Sequence, residues 1–165
     1  MAKVYSVVNG AIPTTAAPVA VTSGTVIKTM IQFSTSANRE ARVVEWWWEA
    51  DGSAAATPIK VELLRHGSGA ATVTAYGAGD ITAYDPNSVA AQITLGTANS
   101  GYTASAEGTP ASSTGSIAHF VPPTSGIYIQ YPLGRELEVK VSTFLRLRNT
   151  AGAAVNVYCG LAWEE

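Results

Sequence analysis

Charge is scarce in this sequence. Asp, Glu, Lys and Arg make up only 13% of its 165 residues, about half the usual share of roughly 25%. The formal net charge is −2, where a free-living monomer usually keeps its surface wet with Lys and Glu and its net charge well away from zero. Lys and Arg never cluster, the closest approach being Arg146 and Arg148 on alternate positions of one segment. Phosphate binding needs several cations converging on one surface, so nucleic acid is excluded as an expected partner. Long apolar runs are missing too. No stretch approaches the ~18 residues of a membrane-spanning helix, and the first ten residues hold one Lys and no apolar core of a signal peptide. A single cysteine, Cys159, excludes an intrachain disulfide framework and reads as a small apolar residue of a core strand. Synthesis in a reducing cytoplasm is the matching expectation.

What is present is period-two alternation, with no window holding a helical stripe. Lys3 to Val8 opens as a strand. Residues 9–23, with Pro13 and Pro18, read as an extended arm or loop. Thr25 to Phe33 follows, with Ile27, Ile31 and Phe33 on one face, then Ala41 to Ala50, closed by the turn signal Asp51-Gly52. Ile59 to Arg65 is expected to pair with that strand as a hairpin. Residues 66–115 form a long region rich in Ala, Thr, Gly and Ser, with strand-like pieces at 72–76 and 91–95. Its tyrosines Tyr76, Tyr84 and Tyr102 point to loops that pack on something. In the last third, Leu137, Val139 and Val141 face inward, as do Leu145 and Leu147, with Arg146 and Arg148 opposite. Val155, Val157, Cys159, Leu161 and Trp163 share one face of the closing strand. Eight to ten short strands with regular turn signals predict an all-β chain, a single-domain antiparallel β-sandwich of jelly-roll type spanning residues 1–165.

The segment Glu45-Trp46-Trp47-Trp48-Glu49 is the most specific feature. Strand side chains alternate between faces, which sends Val44, Trp46 and Trp48 to the core. Val43, Glu45, Trp47 and Glu49 then share the other face. A carboxylate is costly to bury unpaired, so that face is partly wet. Trp47 on it lies under the chain's own 9–23 arm, anchors a partner contact, or forms a ligand-stacking platform. Glu45, Trp47, Glu49, Pro13, Pro18, Tyr76, Tyr84 and Tyr102 are the candidate contact residues.

Catalytic patterns are wanting. A glycosidase needs two carboxylates across the scissile bond, whereas Glu45 and Glu49 lie roughly 13 Å apart by strand rise. His66 and His119 belong to no metal-ligand spacing. Asp80 and Asp85 lack the dense alternation of a calcium loop and read as solvated turn residues. No phosphate-binding glycine motif or nucleophile triad context occurs. The chain reads as a non-enzyme without cofactor or metal.

Ala37-Asn38-Arg39, Val43-Val44-Glu45-Trp46 ending in Asp51-Gly52, Val61-Glu62-Leu63-Leu64-Arg65 and Pro132-Leu133-Gly134-Arg135-Glu136 together resemble segments of small virion proteins of tailed bacteriophages. So do Leu145-Arg146-Leu147-Arg148, Ala154-Val155-Asn156-Val157 and the closing Glu164-Glu165. The resemblance runs over most of the chain outside the middle region. It implies a β-sandwich component of the particle, made in the bacterial cytoplasm and located in the virion. The part implied is a head decoration (cement) protein, with a tail or head–tail accessory protein, or a receptor- or glycan-binding module at a tail tip, as alternatives. A homotrimer bound to the major capsid protein or another virion protein is the implied partnership. Trp47, the arm and the middle loops are expected to hold the multimer.

Overall fold

A computed structural model describes residues 3–12, 15–112 and 115–165. Among the described residues the strands, in chain order, are β1 (Val4–Val8), β2 (Val21–Thr22), β3 (Ile27–Ser34), β4 (Ala41–Ala50), β5 (Ile59–His66), β6 (Thr72–Ala75) and β7 (Thr82–Ala83). After them come β8 (Gly101–Ala106), β9 (Gly115–Val121), β10 (Gly126–Gln130), β11 (Leu137–Val139), β12 (Phe144–Thr150) and β13 (Asn156–Glu164). The alternating segments have become strands because each buries one face. Val157, Cys159, Leu161 and Trp163 of β13 are fully buried, as are Leu145 and Leu147 of β12.

Two antiparallel sheets pack face to face. One runs β10-β4-β13-β1-β7, with β11 also on β4 and β2 on β13; the other runs β6-β8-β3-β12-β5-β9. With β2, β6, β7, β8 and β11 set aside, the sheets are β1-β13-β4-β10 and β3-β12-β5-β9, the two four-stranded layers of a jelly roll. The chain changes sheet at each of β3→β4, β4→β5, β9→β10 and β12→β13. β5 is therefore not the hairpin partner of β4, as its sequence position suggested. Residues 51–58 cross between the layers, held where the Gly52 amide donates to the Pro123 carbonyl at 2.6 Å. A Cβ on Gly52 would stand 2.5 Å from Val155, so this close crossing requires glycine.

Two β-bulges reset the parity of faces. On β4, Glu45 pairs with Ala162 while Val43 pairs with Trp163, leaving Val44 as the extra residue. Trp46 and Trp48 face the core as expected, but Val43 and Ala41 join them and Val44 is only half-buried. On β3, Leu147 pairs with Ile31 and Arg148 with Thr29, so Met30 is extra. Ile27 is thereby displaced from the inner face that alternation assigned to it, and it is exposed. Val141, expected inward, lies past the end of β11 and is exposed as well.

The middle region is more ordered than a set of loops. β6 and β8 extend one sheet beside β3, and β7 extends the other beside β1. Residues 91–95 make no strand, yet Ile93 joins the core and the Thr94 amide donates to the Ser34 carbonyl. Arg146, fully buried on the outer side of β12, ties this region down. Its guanidinium donates to Gln32 Oε1 (2.9 Å), to the Gly108 carbonyl (3.1 Å) and to the Gly69 carbonyl, with Glu107 at 3.6 Å. Glu107 in turn accepts from the Thr29 hydroxyl. The 9–23 segment is anchored at both ends. Asn9 bridges Val157 and Cys159, and Ser23 exchanges hydrogen bonds with Val155.

Candidate functional site

The outer face of the seven-stranded sheet gathers the candidate residues. Register places Glu45, Trp47 and Glu49 of β4 on it, beside Gln130, Tyr128 and Gly126 of β10 on one flank. On the other flank stand Ala162, Gly160 and Tyr158 of β13. Beyond β13 come Val8 and Ser6 of β1, then Thr82 of β7.

Trp47 leans across onto β13. A Cβ built on Gly160 would lie 2.1 Å from Trp47 Cζ2, so the six-membered ring of the indole occupies the space a side chain would take. Glycine at position 160 is what lets the ring lie down on the neighbouring strand. Trp47 is half-buried, with Gly160 of its own sheet beneath the ring. Pro18 is exposed on the arm, Ala20 approaches Glu49 and Tyr158, and Pro13 lies outside the described residues.

Glu45 is the polar centre of the face. The Tyr84 hydroxyl donates to Glu45 Oε1 at 2.7 Å and the Tyr128 hydroxyl donates to Oε2. One carboxylate thus pins two tyrosines that arrive from opposite sides, Tyr84 just after β7 and Tyr128 on β10. Burial, followed by the bond and charge of Glu45, pushes the Tyr84 phenol up to about 12. The Glu45 bond is the leading cause of the upward shift at Tyr128, with burial and the Glu45 charge behind it. Both rings remain accessible, Tyr84 at 56% and Tyr128 at 58% exposure. Glu49 is exposed and sits between two shallow hollows, one lined by Ser125 and Tyr128, the other by Asp51, Asn156 and Tyr158.

The structure therefore brings together Glu45, Trp47, Glu49 and Tyr84. Tyr76 does not belong to the group. Its ring is fully buried against Tyr102 and the core, and its hydroxyl donates to the Val8 carbonyl at 2.5 Å. Tyr76, a candidate contact residue, packs inside the fold just past the end of β6 and is not accessible to a partner. Tyr102 is half-buried beside it. Tyr128 and Tyr158 were missed by sequence reasoning. Their alternation with apolar neighbours on β10 and β13 marked them as outward residues, but only the register places them beside Trp47.

Elsewhere, His119 faces inward with its ring 5.9 Å from Trp46. His66 is buried and stacked on Phe144. Asp85 accepts from the Asn87 amide and from Lys3, and Asp80 accepts from the Gly77 amide, the roles of turn residues. Arg42, Arg65 and Arg135 line one hollow with Glu136 and Glu138, a grouping distant in sequence and balanced by its own carboxylates. Among the described residues no group of three or more His, Cys, Asp or Glu side chains could hold a metal ion. Comparison with protein-family models, curated proteins and solved structures finds no match for this chain.

Proposed function

We propose that this chain is a non-enzymatic structural protein of a tailed-phage particle, a decoration protein that lays the outer face of its seven-stranded sheet on the assembled head. The observation that carries the docking part is the Trp47–Glu45–Tyr84–Tyr128 arrangement. Protein interfaces concentrate Trp and Tyr at a centre depleted of free charge. Here the Glu45 carboxylate already accepts from two hydroxyls, so covering the centre of the face leaves both its oxygens hydrogen-bonded. Trp47 is seated in advance on Gly160, which lowers the ordering cost of using it as an anchor. The particle context rests on the resemblance of the sequence segments to small phage virion proteins. A cement protein acts by mass action, stabilising the shell it binds and not the dissociated subunits. Quantitative mass spectrometry of purified particles tests the reading. Decoration requires hundreds of copies per particle, and absence or a handful of copies defeats it.

A second reading, a glycan-binding module at a tail tip, draws on the hollows beside Glu49. Tyrosine rings next to a carboxylate and the Asn156 amide can cover a sugar ring and accept its hydroxyl protons. It requires few copies per particle and saturable binding to host cell wall.

A further inference from the structure

One side of the sandwich is closed and the opposite side is bare. β6, β8 and β7, contributed by the middle region, cover the side next to β3 and β1. At the other side both sheets end on open strands. Among the described residues β9 pairs only with β5, and β10 only with β4. An open edge offers a row of unpaired backbone donors and acceptors, which proteins ordinarily blunt with charge, proline, bulges or very short strands. The closed side ends in short strands, since β7 has two residues and β6 has four with a register shift against β8. β9 uses none of these devices. It has seven residues, pairs with β5 in one unbroken register and contains no proline. Between Glu107 and Arg135 the sequence has no Lys, Arg, Asp or Glu at all. On the outer side of β9, Ala118 is exposed and Phe120 is 74% exposed.

We propose that β9 is the self-association edge of this protein, pairing antiparallel with β9 of a second copy across a two-fold axis. The choice of a second copy follows from charge. A surface that meets itself across a two-fold places each residue near its own equivalent, so any charge near the axis faces the same sign. An edge free of Lys, Arg, Asp and Glu is the arrangement that avoids this repulsion. A different protein is ordinarily selected by complementary charge, and β9 offers none. The pairing joins two six-stranded sheets into one and covers Phe120 near the axis. It leaves the Trp47 face free, so a dimer can dock with both copies' patches. A two-fold dimer also differs from the trimer that the family resemblance implies, which would need two unlike edges to meet.

Sedimentation of the full chain at tens of micromolar, alone and as Phe120→Lys, tests the pairing. The unaltered chain is expected as a dimer. Phe120→Lys places two like charges beside the axis and is expected to weaken the dimer by about tenfold or more. Circular dichroism and thermal unfolding that match the unaltered chain's, both taken at a dilution where each is monomeric, are the control for its fold. A positive reading comes from Ala118→Cys treated with a short bis-maleimide, which is expected to give covalent dimers. Cys159 is fully buried, so the reagent reports on position 118. A monomeric unaltered chain, or a dimer that survives Phe120→Lys and does not cross-link through position 118, overturns the proposal. The copy number in particles is a separate measurement, so either idea can fail without the other.

Discussion

Three consecutive tryptophans in β4 have two different environments, and single substitutions separate them. Trp46 and Trp48 are fully buried between the sheets. Truncating either to Ala removes a large core side chain and leaves a cavity, at a cost of about 3–5 kcal/mol. Trp47 rests with one side on Gly160 and stays partly in water, so Trp47→Ala loses only part of its burial, about 1–2 kcal/mol. Urea unfolding of the three variants at neutral pH is expected to divide two to one in that way. Equal losses would mean that the indole of Trp47 is as much a part of the fold as its neighbours. Under the proposed decoration role, the same substitution is expected to lower occupancy on particles by more than its stability cost explains, because the face around Glu45 loses its largest ring.

At the scale of elements, the informative group is the one that fastens the middle region. Arg146 lies on β12, yet its hydrogen bonds end on carbonyls of residues 69 and 108 in two separate connections. Removing a buried, bonded cation leaves its acceptors and Glu107 without their partner, a loss of about 3–5 kcal/mol. Hydrogen exchange of Arg146→Met is expected to show lost protection first in 67–72 and 105–111, with β5 and β13 retaining theirs. Uniform loss across all strands would show that Arg146 supports the whole fold and not these connections. This network also marks where the sequence stopped being legible. Alternation in β12 identified Arg146 and Arg148 as outward, but an outward arginine reads as solvated until the connections at residues 69 and 108 are known to bond to it. The strands themselves, the core face of β13 and the buried Cys159 were readable, because period-two burial is a local property. Register was not, because one extra residue at Val44 or Met30 exchanges faces for everything beyond it. Alternation alone therefore misplaced Val43, Val44 and Ile27. Tyr76 was offered as a contact residue for a related reason: composition made 66–115 look like loops, while pairing partners far along the chain made parts of it sheet and buried the ring. The site was half legible. Glu45, Trp47, Glu49 and Tyr84 could be singled out by type and parity, whereas Tyr128, Tyr158 and Gly160 enter only through which strands are neighbours.

The molecule as a whole has few charges, and those it buries govern how its stability responds to acid. His66 is buried, stacked on Phe144 with ring centroids 5.2 Å apart, and its Nδ1–H donates to the Ser68 carbonyl. Its Nε2 has no hydrogen-bond partner among the described residues. Burial chiefly, helped by the positive charges of Arg146 and Arg148, lowers its affinity for a proton below the ordinary 6.5, against the Ser68 bond that favours the charged form. The unfolded chain therefore takes up this proton first. The stability contributed by a neutral His66 is whole above pH 6.5 and declines as pH falls from there through the lower native value. Glu62 acts on a second limb. Burial opposes its charge, but Lys60 at 2.9 Å and Arg148 at 3.1 Å outweigh that cost and hold it below the ordinary 4.5. Its contribution is present above pH 4.5 and is lost as pH falls through the native value. Unfolding free energy is accordingly expected to fall in two stages on acidification, the first beginning near pH 6.5. His66→Gln keeps an N–H for the Ser68 carbonyl and cannot titrate, so it is expected to flatten the stage between pH 6.5 and 4.5 while leaving the lower one. Persistence of the upper slope in that variant would assign it to a group other than His66.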